Sequence, residues 1–324
     1  MFFKIHLFNK LGFMPPVLAY LASIPESSYS YNYYSLRHPG GIFNLQLNSV
    51  SQNFLGFFAH FKKMNESGYE ERKDGPMKDE LIRNYTLLLL SFNNYLDSVY
   101  EIILGLCKQH SVPGENEPLY NWFKKYDYTS GDKFYSGTKD KTLFLKEIFN
   151  KLKHKSNTLR YITSVNLDNN EKILGYYLES ASSDGVIGPN EALHPKFNGK
   201  YSANSFNFDL RKLYFCLYII SDALLVALLH HFREVYSQEL IPNTEWSQDD
   251  SNLKNLYKEI INLPNLFFEN EFGKTLTYPK IETKSKEHYL IFEEKKIEPN
   301  KGRFKIEMVT KGDGFSRSFR LPLH

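Results

Sequence analysis

Leu213 to Leu229 reads LYFCLYIISDALLVALL, with Arg211 and Lys212 before it and His230, His231 and Arg233 after it. Apolar residues recur at Leu213, Leu217, Ile220, Leu224 and Leu228, the spacing of one helical face. The opposite face is nearly as apolar through Tyr214, Tyr218, Leu225 and Leu229. A helix hydrophobic on every side is enclosed on every side, by protein or by lipid. Length and charge decide between the two. The run of 17 residues sits at the lower limit for crossing hydrocarbon. Asp222, near its centre, would cost about 2.5–3.5 kcal/mol on insertion. The expectation is a buried helix of a folded domain with no membrane partner, a membrane-associated protein being the rival reading. A second apolar stretch, Tyr85 to Leu106, is expected to lie beside it.

The 324 residues leave room for one large domain or for two to three small ones. Apolar residues make up 42% and charged ones 24%, a globular composition that excludes long disorder. Aromatic content is high, with 23 Tyr and 26 Phe. Such residues fill cores and half-buried sheet faces far more often than they stack on bases. The net charge of +3 is too mild to mark a nucleic-acid protein by itself. Cys107 and Cys216 each lie in an apolar helix, which is neither a disulfide framework nor a metal box and points to a reducing cytoplasm. The opening MFFKIHLFNKLGFMPPVLAYLAS has the outline of a signal peptide, but Pro15 and Pro16 break its apolar run.

Three segments follow from the periodicity. In residues 1–76, Gly41 to Val50 alternates like a half-buried strand, Ser51 opens a helix reaching about Met64, and Asn65 to Pro76 reads as a polar linker. Residues 77–237 read as a helical bundle. Its first long helix runs from Met77 or Lys78 to about Lys108, and Ser111 to Pro118 ends it. A short helix begins at Trp122, Tyr126 to Gly137 forms a loop, and a helix spans Lys139 to Asn157. Ile173 to Glu179 is a strand that pairs with Gly185 to Ile187 across SSDG, and Pro189 to Ala203 is a loop. The central helix then ends near Val235, with Asp209 favourably placed at its N-terminus. Residues 238–324 hold an amphipathic helix, Asn252 to Asn262, and then strands at His288–Ile297, Arg303–Thr310 and Ser316–Leu323. The turn signal KGDG at 311–314 makes a hairpin of the last two, and the N-terminal strand can complete the sheet. The fold class is thus α+β, mainly α: a bundle of two long apolar helices with a short strand insert, plus a small antiparallel C-terminal sheet.

Chemistry is densest at FNKLKHKSN, Phe149 to Asn157. Asn150 and His154 are spaced i, i+4 and share a helical face. Lys139 to Arg160 carries seven basic residues against Asp140 and Glu147, a local net charge of +5. Lys146, Lys151, Lys153, Lys155 and Arg160 are the candidate RNA- or anion-binding residues, since cations stabilise phosphate charge and a histidine moves protons near neutrality.

A helical bundle with two long helices, a strand insert and an Asn-x-x-x-His sequence resembles the HEPN superfamily over residues 77–237. The resemblance implies a helical, often dimeric domain of prokaryotic defence or toxin-type systems. Its active members are metal-independent ribonucleases with an Arg-polar-x-x-x-His motif. Asn150 falls on the polar position and His154 on the histidine, but Phe149 stands where the phosphate-binding arginine belongs. The chain therefore resembles the members that serve as non-catalytic binding or regulatory modules. The reading is such a module, possessing no cofactor, engaging RNA or an acidic protein partner through 139–160 and forming a homodimer. The alternative is a ribonuclease with His154 and Asn150 as its catalytic residues and Lys153 or Lys155 replacing the arginine.

Other signals are weaker. Asp97 and Asp222, each midway along an apolar helix, require partners or protons; they could orient His154 or pair with a lysine of the basic helix, hydrogen bonds to tyrosines or helix ends being the plainer solution. His230 and Glu234 share a face but find no third ligand, so no metal is expected. No phosphate-binding glycine loop or nucleophile elbow occurs, and His194-Pro195 falls in a loop.

Overall fold

The computed structural model describes residues 2–7, 12–26, 30–66, 75–115, 117–154, 157–181, 187–285 and 287–308. Within them the fold is α+β, about half helical, with seven α-helices and two antiparallel sheets. The helices are α1 (Val17–Leu21), α2 (Pro39–Glu66), α3 (Gly75–Leu106), α4 (Leu119–Lys125), α5 (Ser130–Leu152), α6 (Phe206–Tyr236) and α7 (Ser251–Ile261). The strands are β1 (Phe2–Leu7), β2 (Thr158–Asn166), β3 (Lys172–Ala181), β4 (Ile187–Pro189), β5 (Asn204–Ser205), β6 (Thr275–Lys284), β7 (Glu287–Lys296) and β8 (Phe304–Met308).

The central stretch lies in α6, the one described helix long and apolar enough to cross a membrane. Its residues from Leu213 to Ser221 are all buried in the protein, and Ser205 caps its start by accepting from the Phe208 amide. Of the two helices expected to be apolar all round, only α6 fits. α3 is amphipathic: Leu81, Tyr85, Leu88, Phe92, Leu96, Val99 and Ile103 are buried, while Arg83, Leu87, Leu90, Asn94, Asp97 and Glu101 form an exposed stripe at spacings of three and four. The two helices are tied by Tyr95, whose hydroxyl meets Ser221 Oγ at 2.6 Å. Below them α2 packs on α3 through the aromatic group of Phe54, Phe57, Phe92 and Tyr85.

Buried polar groups fasten these layers. Asp209, in the first turn of α6, accepts from the Tyr85 hydroxyl of α3 at 2.9 Å and from the Tyr176 hydroxyl of β3. Glu271 accepts from the Ser205 amide at 2.9 Å and the Phe268 amide at 2.8 Å, and burial pushes its carboxyl up to about 7. Arg211 donates to the carbonyls of Leu263 (2.6 Å) and Asn207 (3.0 Å), fixing the chain that leaves α7.

Several expectations are corrected. Gly41 to Val50 is not a strand; it belongs to α2, where Phe43, Leu47, Val50 and Phe54 follow a helical period and Leu45, part of the apparent alternation, is half exposed. His38 caps this helix, its Nδ1 accepting from the Gly40 amide at 3.1 Å. The loop expected at Tyr126 to Gly137 is largely helix, because α5 begins at Ser130. Gly131 and Gly137 are sites of close approach: an added Cβ would stand 2.8 Å from the Phe123 ring and 3.2 Å from Ala223 Cβ.

The helix expected over 139–157 ends at Leu152, and β2 follows where no element was anticipated. The strand insert is larger than two strands. β3 pairs with β4 at Ile187–Pro189, which shares only Ile187 with the expected 185–187, and also with β2 and β5, and β8 returns from the C-terminal region to pair with β2. The second sheet, β1-β7-β6, is completed by Phe2–Leu7 and not by Gly41–Val50, and the expected strands at 288–297 and 303–310 fall in different sheets, since β8 joins β2. The 311–314 turn, Ser316–Leu323, and most of the 65–76 linker lie outside the described residues. One hydrophobic core contains Phe43 of α2, Leu88 of α3, Leu217 of α6 and Leu290 of β7, and so crosses the boundaries drawn at 76/77 and 237/238.

Candidate functional site

Two open cavities flank α5, one at its N-terminus and one along its side. The first, of about 350 Å³, is lined by Lys108, His110, Tyr128, Thr129, Ser130, His230, His231 and Glu234. Ser130 Oγ lies 3.1 Å from His231 Nδ1, and His231 Nε2 lies 3.0 Å from the Leu106 carbonyl. A carbonyl only accepts, so Nε2 carries the ring proton and Nδ1 receives the serine hydroxyl. A hydroxyl on an imidazole acceptor has the outline of an activated nucleophile. Two facts oppose that use. Ser130 is only 2% exposed and His231 1%, and burial pushes the imidazole down to about 4, too weak a base at neutrality. The pair instead clamps the start of α5 to α6 and to the end of α3. Thr129 works beside it: its hydroxyl meets His230 Nε2 at 2.7 Å instead of capping the helix. His230 is thereby committed to Thr129, and no group of three potential metal ligands occurs among the described residues.

The second cavity, about 400 Å³, opens between α3, α4 and α5. Asp97 and Glu101, one turn apart on the exposed stripe of α3, form one wall; Tyr120 and Tyr135, from α4 and α5, form another, with Tyr100 and Lys146 completing it. Tyr120 and Tyr135 have ring centroids 5.3 Å apart, Lys124 Nζ stands 4.5 Å over the Tyr120 ring, and Lys146 Nζ 5.3 Å over Tyr135. Tyr100 is held from behind by Phe134, edge-on at 5.2 Å. Burial raises the pKa of Asp97, against a hydrogen bond from Asn93 and the charges of Lys146 and Lys153. Burial, aided by the Asp97 charge, also raises that of Glu101, and burial lowers that of Lys146. Among the described residues Glu101 makes no hydrogen bond and no ion pair.

The expected site residues are distributed unevenly around this groove. Lys146 lines it, and Lys153, at the C-cap of α5, acts on Asp97 from its end. Lys139, Lys146, Asn150 and Lys153 fall on one helical stripe with Tyr135, at spacings of four, seven, four and three residues. His154 is exposed and lies beyond the helix end, in a turn closed by its amide on the Lys151 carbonyl at 3.1 Å, so helical spacing no longer aligns it with Asn150. Phe149 is half buried beneath Lys153 Nζ, 4.6 Å from the ring. Lys151 is half buried, and Lys155 lies outside the described residues.

Arg160 sits on β2 and is bound by Glu179 of β3, with nitrogens 2.9 and 2.7 Å from one oxygen; its charge is internally compensated. The patch is therefore less basic in space than along the chain. Asp97 pairs with no lysine among the described residues: it accepts from Asn93 at 2.9 Å and feels Lys146 and Lys153 only through space, whereas Asp222 is half buried on α6 with only burial acting on its pKa. His194 is buried and accepts from the Leu178 amide at 2.9 Å, a structural role. Glu101, Tyr120 and Tyr135 of this groove carry no motif in the sequence. The i, i+4 pair Asp97/Glu101 was the one available signal; Tyr135 was hidden in a segment whose glycines imitate a loop.

No protein-family model matches the chain, and neither does any curated protein or any solved structure.

Proposed function

We propose that this protein is a non-catalytic, HEPN-like binding module that engages single-stranded RNA along the exposed face of α5 and the groove beside it, in the cytoplasmic defence or toxin-type setting that such modules occupy. The observation that carries the reading is the stripe Tyr135, Lys139, Lys146, Asn150 and Lys153, continued by Tyr120 and Lys124 of α4. Lysines interleaved with accessible aromatic rings match a strand whose phosphates alternate with stackable bases. The non-catalytic half of the proposal is supported by Phe149 in the arginine position, half buried, and by His154 standing beyond the helix, its ring without a hydrogen bond or ion pair among the described residues. His231, whose ring receives the buried Ser130 hydroxyl, is too weak a base.

The test is fluorescence anisotropy with a labelled eight-nucleotide single-stranded RNA between 50 and 200 mM salt. Binding should weaken steeply with salt. The triple variant Lys139→Ala, Lys146→Ala, Lys153→Ala should flatten the slope of log K against log salt by about 2, since each single-strand phosphate contact contributes about 0.7. Salt-independent binding, or an unchanged slope in the variant, would remove α5 as the interface. Cleavage of the RNA by the purified wild-type protein in EDTA would overturn the non-catalytic half.

A further inference from the structure

We propose that the groove between α3, α4 and α5 is a base-selective pocket that takes one guanine of a bound single strand. The inference rests on the RNA reading above and specifies what this cavity reads.

The cavity, about 400 Å³, falls within the range of small-ligand sites, and its walls divide by chemistry. Tyr120 and Tyr135 bring two rings to it, tilted by 41° and each with a lysine over one face, and Tyr135, 39% exposed, offers the stacking surface. Unstacked RNA bases are held on such surfaces and read along their hydrogen-bonding edges. The opposite wall carries Asp97 and Glu101, acceptors only when ionised. Asn93 already donates to Asp97 Oδ2 at 2.9 Å, whereas Glu101 has no donor among the described residues. Lys146 and Lys153 influence Asp97 through space without closing an ion pair, so the acidic wall remains open to a ligand's donors.

A carboxylate whose two oxygens are free matches two parallel N–H groups. Guanine presents that pair on its Watson–Crick edge, N1–H and N2–H. Adenine and cytosine place an acceptor beside their amino group, and uracil flanks its single N–H with two carbonyls. Charge balance chooses between a base and an organic cation. Lys146 in the wall, with Lys124 over the Tyr120 ring, opposes a cation that the carboxylates would attract. A nucleotide uses both signs, its neutral donor edge on the carboxylates and its phosphates on the lysines.

The experiment compares two 5′-fluorescein RNAs, all-uridine eight-mer and the same strand with one central guanosine, by anisotropy on wild type and Glu101→Gln, with GMP and AMP titrated separately against tyrosine fluorescence. Wild type should favour the guanosine strand by at least about fivefold, the lower end of what one well-matched base contact discriminates. Glu101→Gln should collapse that ratio toward one while binding the all-uridine strand slightly more tightly, having lost a negative charge. Glu101 is on the surface, so a melting curve for the variant confirms folding. Equal affinity of wild type for both strands, or an undiminished ratio in Glu101→Gln, would overturn the pocket and leave RNA binding by α5 standing. Failure to bind either strand, with GMP still preferred over AMP, would keep the pocket and remove the RNA reading. Silence in all three would remove both.

Discussion

Asp209 and Glu101 are both carboxylates on long helices, and burial raises the pKa of each. Their surroundings differ. Asp209 is enclosed where α3, β3 and α6 meet, receives two tyrosine hydroxyls and sits in the first turn of its helix, where the dipole favours a negative charge. Glu101 faces an open groove beside a second carboxylate and receives no donor among the described residues. Asp209 is thus a buried carboxylate whose hydrogen bonds the fold supplies, and Glu101 a groove carboxylate whose accepting capacity is left over. A leftover acceptor beside aromatic rings and lysines is what a ligand can use; a satisfied one at a junction of three elements is what stability uses.

The largest expected effect tests the interior side. Asp209→Ala removes the shared acceptor and strands two buried tyrosine hydroxyls at about 1–3 kcal/mol each, partly offset by relief of the carboxylate's own desolvation. The net expectation is a loss of about 2–4 kcal/mol, read from the urea midpoint by circular dichroism. A change below about 0.5 kcal/mol, the level of ordinary surface substitutions, would erase the distinction between the two regions.

A second prediction concerns the clamp at the start of α5. Burial pushes His231 down from 6.5 to about 4, with its bond to the Leu106 carbonyl opposing the shift. Depression of a basic group's pKa means that the fold favours the neutral ring. Its contribution is therefore complete above about pH 6.5 and is lost as pH falls toward 4. The stability gap between wild type and His231→Gln should be widest above pH 6.5 and narrow by up to about 3 kcal/mol by pH 4. His194, held down at about 3 by burial, and Glu271, held up near 7, titrate in overlapping ranges. Both remain in the variant and cancel in the difference. A gap independent of pH would mean that His231 is not held neutral.

The central helix was legible in the sequence; the N-terminal half of α2, the strand β2 and the groove were not. α6 announces itself because seventeen consecutive residues obey one rule, and Asp209 is readable because a carboxylate in a first turn has a local explanation. The groove gathers residues about 50 positions apart, from Asp97 on α3 to Lys146 on α5, and no local period links them. Gly131 and Gly137 hid the start of α5: glycine marks both a turn and a place where helices touch, and only the positions of Phe123 and Ala223 distinguish the two. Arg160 misled in the opposite way. It extends a basic run along the chain, but β2 carries it to Glu179, which cancels its charge.

The smallest expected effect bears on the groove itself. Glu101 lies four residues after Asp97, so the two negative charges face each other across one helical turn, and such like-charge pairs destabilise a helix by a few tenths of a kcal/mol. Glu101→Gln keeps the side chain's length and helix propensity while removing that repulsion. With a folded-state pKa raised above its unfolded value, Glu101 contributes stability below its unfolded pKa and loses it as pH rises. The glutamine should therefore help most at neutral pH and not at all at about pH 3. The expected gain is about 0.3 kcal/mol at pH 7, discounted for solvent at this exposed position, and it is measurable as a small upward shift in melting temperature. A loss of more than about 1 kcal/mol would mean that Glu101 has a structural partner, and the contrast between Asp209 and Glu101 would fail.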